Sequence, residues 1–264
     1  MDKAQIMALY DQEQRRDVEY PGVRREVTPH VVRHIDLADD GEGMIVYSQL
    51  TDANADEVIR AEISYFEGIG QAFEWKVYDY DQPLDLKDRL AAHGFEIEEA
   101  EALMVLDLDD APEMLWQPVR HTVQRLTDPE KLADVQTIEE QVWGEDAAWV
   151  FDLLGGVLTD HADQMSVYVA YVDGQPTSAA WIHFPARSQF ASLWGGSTIS
   201  GFRKQGLYTA LLSVRAQEAR ARGVRFLTVD ASPMSRPILE KFGFELFAYS
   251  YPCKWALRSE GAAG

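Results

Sequence analysis

Gly195-Gly196-Ser197-Thr198-Ile199-Ser200-Gly201-Phe202-Arg203-Lys204-Gln205-Gly206-Leu207-Tyr208 is the stretch that decides how this chain is read. Before it, Phe190-Ala191-Ser192-Leu193-Trp194 is an apolar-rich run with the character of a strand. After it, the spacing predicts a helix from about Gly206 to Arg222, with Leu207, Leu211, Val214 and Ala221 on one face. A loop therefore leaves a strand and opens a helix, with Gly, Arg, Lys and Gln at the turn. That suits an anion, because a helix start leaves about four backbone N–H groups unpartnered and its dipole favours negative charge. Gly206 has no Cβ, so a phosphate can approach the backbone closely. From Ser200 to Arg225 there are six basic residues, Arg203 and Lys204 among them, and one acidic residue, Glu218. The whole chain has a formal net charge of −20, so this local reversal of sign favours a bound anion.

Two common phosphate motifs fit less well. A P-loop needs G-x-x-x-x-G-K-[ST], and here Gly206 is followed by Leu207-Tyr208. A dinucleotide fingerprint needs G-x-G-x-x-G, which is not present. The stretch resembles the pyrophosphate loop of the GCN5-related N-acetyltransferases, the GNAT family, which reads Arg/Gln-x-x-Gly-x-Gly/Ala. Here it is Arg203-x-x-Gly206-x-Tyr208, with Tyr where the family has a small residue. Taken alone, the loop also reads as a solvated basic helix cap.

Composition sets outer bounds. A chain of 264 residues suggests one large or two ordinary domains. With 46% apolar and 11% aromatic residues it can build true cores, which argues against wholesale disorder. The lone cysteine, Cys253, excludes an intramolecular disulfide and a Cys-based zinc site, and no metal is expected. Met1-Asp2-Lys3-Ala4-Gln5 has no signal pattern and no apolar run approaches a membrane span, so a cytoplasmic location is expected. The negative charge argues against nucleic acid and anionic membrane as partners.

Taken in order, residues 2–17 read as a polar helix ended by Pro21-Gly22. Short strands follow at 31–35 and 44–47 across a turn at Asp39-Asp40-Gly41. A helix capped near Asp52 or Asn54 carries Val58, Ile59, Ile63, Phe66 and Ile69. Then come a strand at 73–78, a helix at 84–93, a strand at 102–108 and a linker from Asp109 to Pro118. The second half reads as a strand at 119–126, a helix opened by Asp128-Pro129, a helix at 146–159 and a hairpin at 166–172 and 177–184. The central strand, loop and helix follow, then a strand at 225–230, a helix at 233–242 and one or two strands within 245–257.

That order resembles a GNAT domain over Val119 to about Leu257. Leu239-Glu240-Lys241-Phe242-Gly243-Phe244 is similar to the family's Tyr-x-x-x-Gly-Phe helix ending. There is also an internal echo. Trp75-Lys76-Val77-Tyr78-Asp79, followed by Leu90 to Gly94-Phe95, repeats Phe226-Leu227-Thr228-Val229-Asp230, followed by Leu239 to Gly243-Phe244. The expected fold class is α/β (α+β), a GNAT fold with a mixed, mostly antiparallel sheet flanked by helices. Two tandem GNAT-like domains are expected, a degenerate one at 1–117 and the acetyltransferase domain at 118–258, with a loose tail at 259–264. Asp52, Asp56 and Glu57 stand where the first domain would need cations, so cofactor binding is expected only in the second.

The resemblance implies acetyl-CoA as co-substrate and direct transfer of acetyl to an amine. Arg203, Lys204 and the N–H groups of Gln205, Gly206, Leu207, Tyr208 and Thr209 are the expected pyrophosphate site. Gly196, Ser197, Thr198, Ile199 and Ser200 map to the splayed strand end along which the thioester arm runs, with N–H groups able to polarise its carbonyl. Gly195-Gly196 suits either a bulge or a plain bend. Ser232 and Ser235 either bond the pantetheine arm or cap the last helix. The family's usual acid is Tyr, at a position that here is Leu239, which has no proton to give. Tyr208, Tyr249 and Tyr251 are candidate replacements, and Glu145 (or its neighbour Asp146), Asp230 and His183 are candidate bases, each also readable as a cap or packing residue. Trp143, Trp149, Trp181 and Trp194 either line an aromatic acceptor pocket or fill the core. The expected acceptor is an amine of a small molecule or peptide, and the expected assembly a monomer or homodimer. A non-catalytic acyl-CoA sensor or interaction module is the competing reading.

Overall fold

The structure is a computed structural model that describes residues 1–38 and 41–257. The centre of the turn expected at Asp39-Asp40 and the expected tail at 259–264 lie outside the described residues. In chain order the elements are α1 (Lys3–Tyr10), β1 (Val23–Val27), β2 (Val31–Asp36), β3 (Gly43–Ser48), α2 (Ala55–Ile69), β4 (Phe73–Tyr78), α3 (Leu86–Ala92), β5 (Glu96–Ile97) and β6 (Glu101–Asp107). Then come β7 (Thr122–Leu126), α4 (Leu132–Trp143), α5 (Gly156–Asp160), β8 (Met165–Val172), β9 (Gln175–His183), β10 (Phe190–Thr198), α6 (Leu207–Ala221), β11 (Phe226–Ala231), α7 (Arg236–Glu240) and β12 (Glu245–Trp255).

The chain divides into two compact units that are not contiguous in sequence. The first comprises Met1–Met104, Asp230–Pro237 and the segment from Leu246 onward; the second comprises Val105–Val229 with Ile238–Glu245. The expected division at 117/118 follows chain order, and the compact units do not. The C-terminal strand, expected in the second domain, completes the first unit, where β12 pairs antiparallel with β4 from Ser250↔Tyr78 to Trp255↔Phe73. The end of β6 is given over to the second unit, where Arg225 holds Asp107 in an ion pair of 2.9 Å. Alternation along a strand names a buried face but not the neighbouring strand, so this exchange has no signature in residue order.

Each unit has the same plan. In the first the sheet order is β1-β2-β3-β4-β12, antiparallel except for the parallel pair β3–β4, and α2 connects that pair. In the second the order is β6-β11-β10-β9-β8-β7, where β7 to β10 pair antiparallel, β10–β11 is parallel, and α6 makes the crossover. The echo between Trp75–Phe95 and Phe226–Phe244 is thus a repeated strand–helix unit following a parallel crossover.

The first core gathers Val58, Ile59 and Phe66 from one face of α2 with Phe73 and Trp75 of β4 and Trp255 of β12. Phe66 and Phe73 stack with centroids 4.1 Å apart. The second core packs Val135 and Ile138 of α4 on Val167, Val169, Ala179 and Trp181 of the sheet. On α6 the buried stripe is Leu207, Ala210, Leu211, Leu212, Arg215, Ala216 and Ala219, whereas Val214 is half-buried and Ala221 exposed. Small alanines make that face, and a reading keyed to large apolar residues displaces it. Strand β1 is absent from the sequence reading because three of its five residues are charged. It is a partly exposed flank strand whose Glu26 takes Arg33 at 2.8 Å. The helix expected at 146–159 is a π-helical segment, Phe151–Gly155, that continues into the short α5, with Gly155 and Gly156 both in the right-handed helical region. No helix among the described residues is long and apolar enough to cross a membrane.

Candidate active site

The second unit carries the predicted loop, and its strand geometry makes the site. Strands β10 and β11 pair only at Phe190↔Phe226, Ala191↔Leu227 and Ser192↔Thr228. Beyond Ser192 the β10 edge is no longer taken by β11 and runs on alone to Thr198. On its other edge β10 stays paired with β9, with a register shift between Gly195 and Ser197. The glycine pair is therefore a bulge rather than a plain bend. Gly195 has φ +70°, and a Cβ there would lie 2.6 Å from the Trp181 ring. The strand end is stitched to β9 by Ser178, whose Oγ donates to the Ser197 carbonyl at 2.7 Å. Behind the bulge, buried Arg215 donates to the carbonyls of Trp181 and Trp194, both at 3.2 Å. Burial lowers its pKa to about 10.

The open edge leads to the start of α6. A short turn at Ser200–Phe202 is followed by Lys204 at φ +62° and Gly206 at φ +84°, and no side chain among the described residues caps the helix. Its first turn carries no acidic residue. Arg203 is tied back by its Nε, which donates to the Thr198 carbonyl at 3.0 Å. Among the described residues neither Arg203 nor Lys204 meets a carboxylate. His121 braces the loop: its Nε2 lies 2.8 Å from the Gln205 carbonyl, and a Cβ at 206 would press on its ring at 3.2 Å. His121 was not legible as a loop residue, since it lies 84 positions away.

The predicted catalytic side chains lie on different elements. Tyr208 packs its ring edge on Gly196, where a Cβ would sit 3.3 Å from Cε2. Burial raises its phenol pKa above the ordinary value, against a smaller opposing effect of Arg215. His183 is 1% exposed, on the sheet face it shares with Trp181, and burial lowers its pKa to about 4. Glu145 is exposed on the loop after α4. Asp230, Ser232 and Ser235 belong to the first unit. There Asp230 meets Lys76 Nζ at 2.5 Å, and Ser232 Oγ accepts from the Ser235 backbone N–H at 3.3 Å in the turn before α7. Burial alone would lower the Lys76 pKa, but the charges of Asp230 and Glu101 reverse that and raise it. Leu239 is fully buried. Cys253 is buried too, and burial pushes its thiol up to about 12.

One residue was missed. Glu139 of α4 is 4% exposed, and its Oε2 accepts from Ser197 Oγ at 3.0 Å and Trp143 Nε1 at 2.8 Å. Its Oε1 is buried with no hydrogen-bond partner among the described residues. Burial raises its pKa, and the two hydrogen bonds only partly counter that. The sequence signal was available: Glu139 extends the stripe Leu132, Val135, Ile138 at helical spacing, so a carboxylate interrupts an apolar face.

A sequence model described as the acetyltransferase (GNAT) family matches residues 123–244, which span this strand, split and helix. Those residues are a GNAT domain. Similar solved structures include a GCN5-related N-acetyltransferase from Kribbella flavida, with TM-score 0.67 and 17% identity, covering 96% of this chain and 95% of that one. A functionally unknown conserved protein from Staphylococcus epidermidis ATCC 12228 gives TM-score 0.66 and 12% identity, covering 89% and 94%. A tandem GNAT protein from the clavulanic acid biosynthesis pathway gives TM-score 0.61 and 14% identity, covering 90% and 84%. At these identities the structural likeness speaks for the fold. No curated protein matches the chain significantly. Residues 123–244 thus match an acyltransferase family.

Set beside this GNAT domain, the first unit closes the equivalent places with its own residues. Strands β3 and β4 pair from Gly43↔Phe73 to Ile45↔Trp75 and then part. Arg15 lies at that split, its Nε donating to the Val46 carbonyl at 3.1 Å and its guanidinium held by both oxygens of Asp81 at 3.0 and 2.8 Å. At the start of α2, Asp52 and Asp56 are bound by Arg89 at 3.1 and 2.8 Å. The first unit thus offers carboxylates where the GNAT loop offers cations, and its strand edge is already hydrogen-bonded. Among the described residues no group of three His, Cys, Asp or Glu side chains is placed to hold a metal.

Proposed function

We propose that the second unit transfers acetyl from acetyl-CoA to a primary amine of a small molecule or peptide, directly and without a covalent enzyme intermediate. The observation that carries this reading is one continuous path. The β10 edge parts from β11 at Ser192, and it ends at an uncapped, acid-free helix start flanked by Arg203 and Lys204. The diphosphate is held by the N–H groups of Gly206 to Thr209, where the helix dipole adds favourable potential. The pantetheine arm runs beside Gly196, Ser197, Thr198 and Ile199, adding a strand-like edge to β10. N–H groups at the bulge face the thioester oxygen as charge develops on it.

Amine nitrogen attacks the acetyl carbon, the C–N bond forms, the C–S bond breaks, and the thiolate leaves. Tyr208 is the proton donor to that thiolate: its ring abuts Gly196, and its raised pKa keeps it protonated at neutral pH. Buried Leu239 leaves no donor at the family's usual position. Asp230 is already matched by Lys76, which makes it a poor base.

The test is thiol release from acetyl-CoA with a pool of amines, beside a thermal shift with CoA alone. Ligand bound to the native state must raise apparent stability, so a shift together with turnover supports the reading. A shift without turnover selects an acyl-CoA sensor, which Leu239 favours. No shift removes both.

A further inference from the structure

Glu139 is a buried carboxylate with no cation paired to it among the described residues. Its two neighbours both donate to Oε2, and Oε1 has no partner among the described residues. Such burial is costly, and the core around Val135, Ile138 and Val169 would be served better there by an apolar side chain. The cost falls at an informative place, since Ser197, which donates to Glu139, is the first residue beyond the bulge on β10. It lies on the strand edge along which the thioester is proposed to run.

The surroundings are aromatic. Trp149 and Trp181 have ring centroids 6.1 Å apart, and Trp194 stands directly across from Trp181 on the neighbouring strand. Trp143, Trp149 and Trp194 are all exposed, at 67%, 42% and 47%, although each is large and apolar enough to seek a core. A carboxylate linked to a hydroxyl and to the exposed Trp143 indole matches a cation joined to an aryl or other flat apolar group.

We propose that Ser197 and Glu139 form a proton relay for an arylalkylamine acceptor, in which Ser197 Oγ meets the ammonium nitrogen and Glu139 positions Ser197 and takes its proton. This rests on the acetyl-transfer reading above. One proton moves in the relay. The R–NH3⁺ nitrogen gives a proton to Ser197 Oγ as Ser197 gives its own to Glu139 Oε2, leaving R–NH2 and a neutral Glu139. The amine then forms the C–N bond as the C–S bond breaks. Its second proton goes to the departing sulfur through Tyr208, and Glu139 returns its proton to solvent. Glu139 is thus a positioning residue, and Ser197 the group that touches substrate.

The experiment compares two acceptors, 2-phenylethylamine, protonated at neutral pH, and O-benzylhydroxylamine, whose nitrogen is already unprotonated there. Thiol release is followed in the full-length wild type, in Glu139→Gln, which keeps the hydrogen bonds but cannot take a proton, and in Ser197→Ala. The CoA thermal shift serves as the check on folding and cofactor binding. The expected result is a loss of about 100-fold or more in kcat with 2-phenylethylamine in both variants. Loss with O-benzylhydroxylamine should stay under about threefold, with the CoA shift unchanged. Equal losses with both acceptors, or no loss with either, overturn the relay. Wild type that binds CoA but uses neither acceptor overturns the acceptor class and the relay with it, while cofactor binding stands. Wild type without a CoA shift refutes the underlying reading instead.

Discussion

Gly206→Val is the sharpest single perturbation of the loop. Gly206 sits at φ +84°, and a Cβ there would be 3.2 Å from His121 Cε1, a contact the imidazole must yield to by a few tenths of an ångström. A residue with a Cβ in this conformation costs about 1–2 kcal/mol, and a β-branched one more. The free loop escapes that strain by turning to negative φ, which re-aims the N–H groups at the head of α6. Binding the diphosphate then requires restoring the strained form. The affinity lost is set by that strain, because the charge-assisted hydrogen bonds at stake contribute more, at about 1.5–3 kcal/mol each. About 2 kcal/mol corresponds to a dissociation constant raised roughly 30-fold. Gly201→Val is the control: its φ is not in the left-handed region and a Cβ there meets nothing within 4 Å. Calorimetric titration with CoA should show the roughly 30-fold loss at 206 and less than about a twofold change at 201. Thermal unfolding covers the case in which the loop keeps its shape and the strain appears as lost stability instead. Identical affinities and melting temperatures for the two variants would falsify the cradle.

Further outcomes follow from individual groups. Tyr208→Phe should lower kcat by about 10²-fold while leaving the CoA shift intact; equal kcat in the variant removes Tyr208 as donor. His183 and His34 are both buried, with pKa values lowered to about 4 from an ordinary 6.5. The unfolded chain therefore binds more protons between those values, and stability must fall as pH drops from 6.5 toward 4, by up to about 3 kcal/mol per histidine. Urea unfolding across that window should show this fall, and His183→Gln should flatten it; an unchanged slope contradicts the assignment. Arg15→Met strands Asp81, which is buried and held by both guanidinium nitrogens, so the first unit should lose about 3–5 kcal/mol. Arg15→Met with Asp81→Leu should recover most of it in denaturant titration, and no recovery argues that Arg15 acts chiefly through its packing on Tyr78.

Residue order by itself determined what depends on near neighbours. Gly206 at a helix start with Arg203 and Lys204 beside it, the glycine pair in a strand and the repeated strand–helix ending at Gly-Phe are all local, because φ preference, helix dipole and hydrophobic period act over a few residues. They were enough to reach the GNAT family and the α/β plan. Tertiary structure alone decided where β12 completes a sheet, that the first unit fills its own strand split with Arg15, and that Asp230 is matched by Lys76. It alone placed the carboxylate of Glu139 against Ser197. Those are encounters between residues tens to hundreds of positions apart, fixed by which strands pair and which faces pack. Charge and burial, unlike helix period, belong to the folded neighbourhood rather than to the residue.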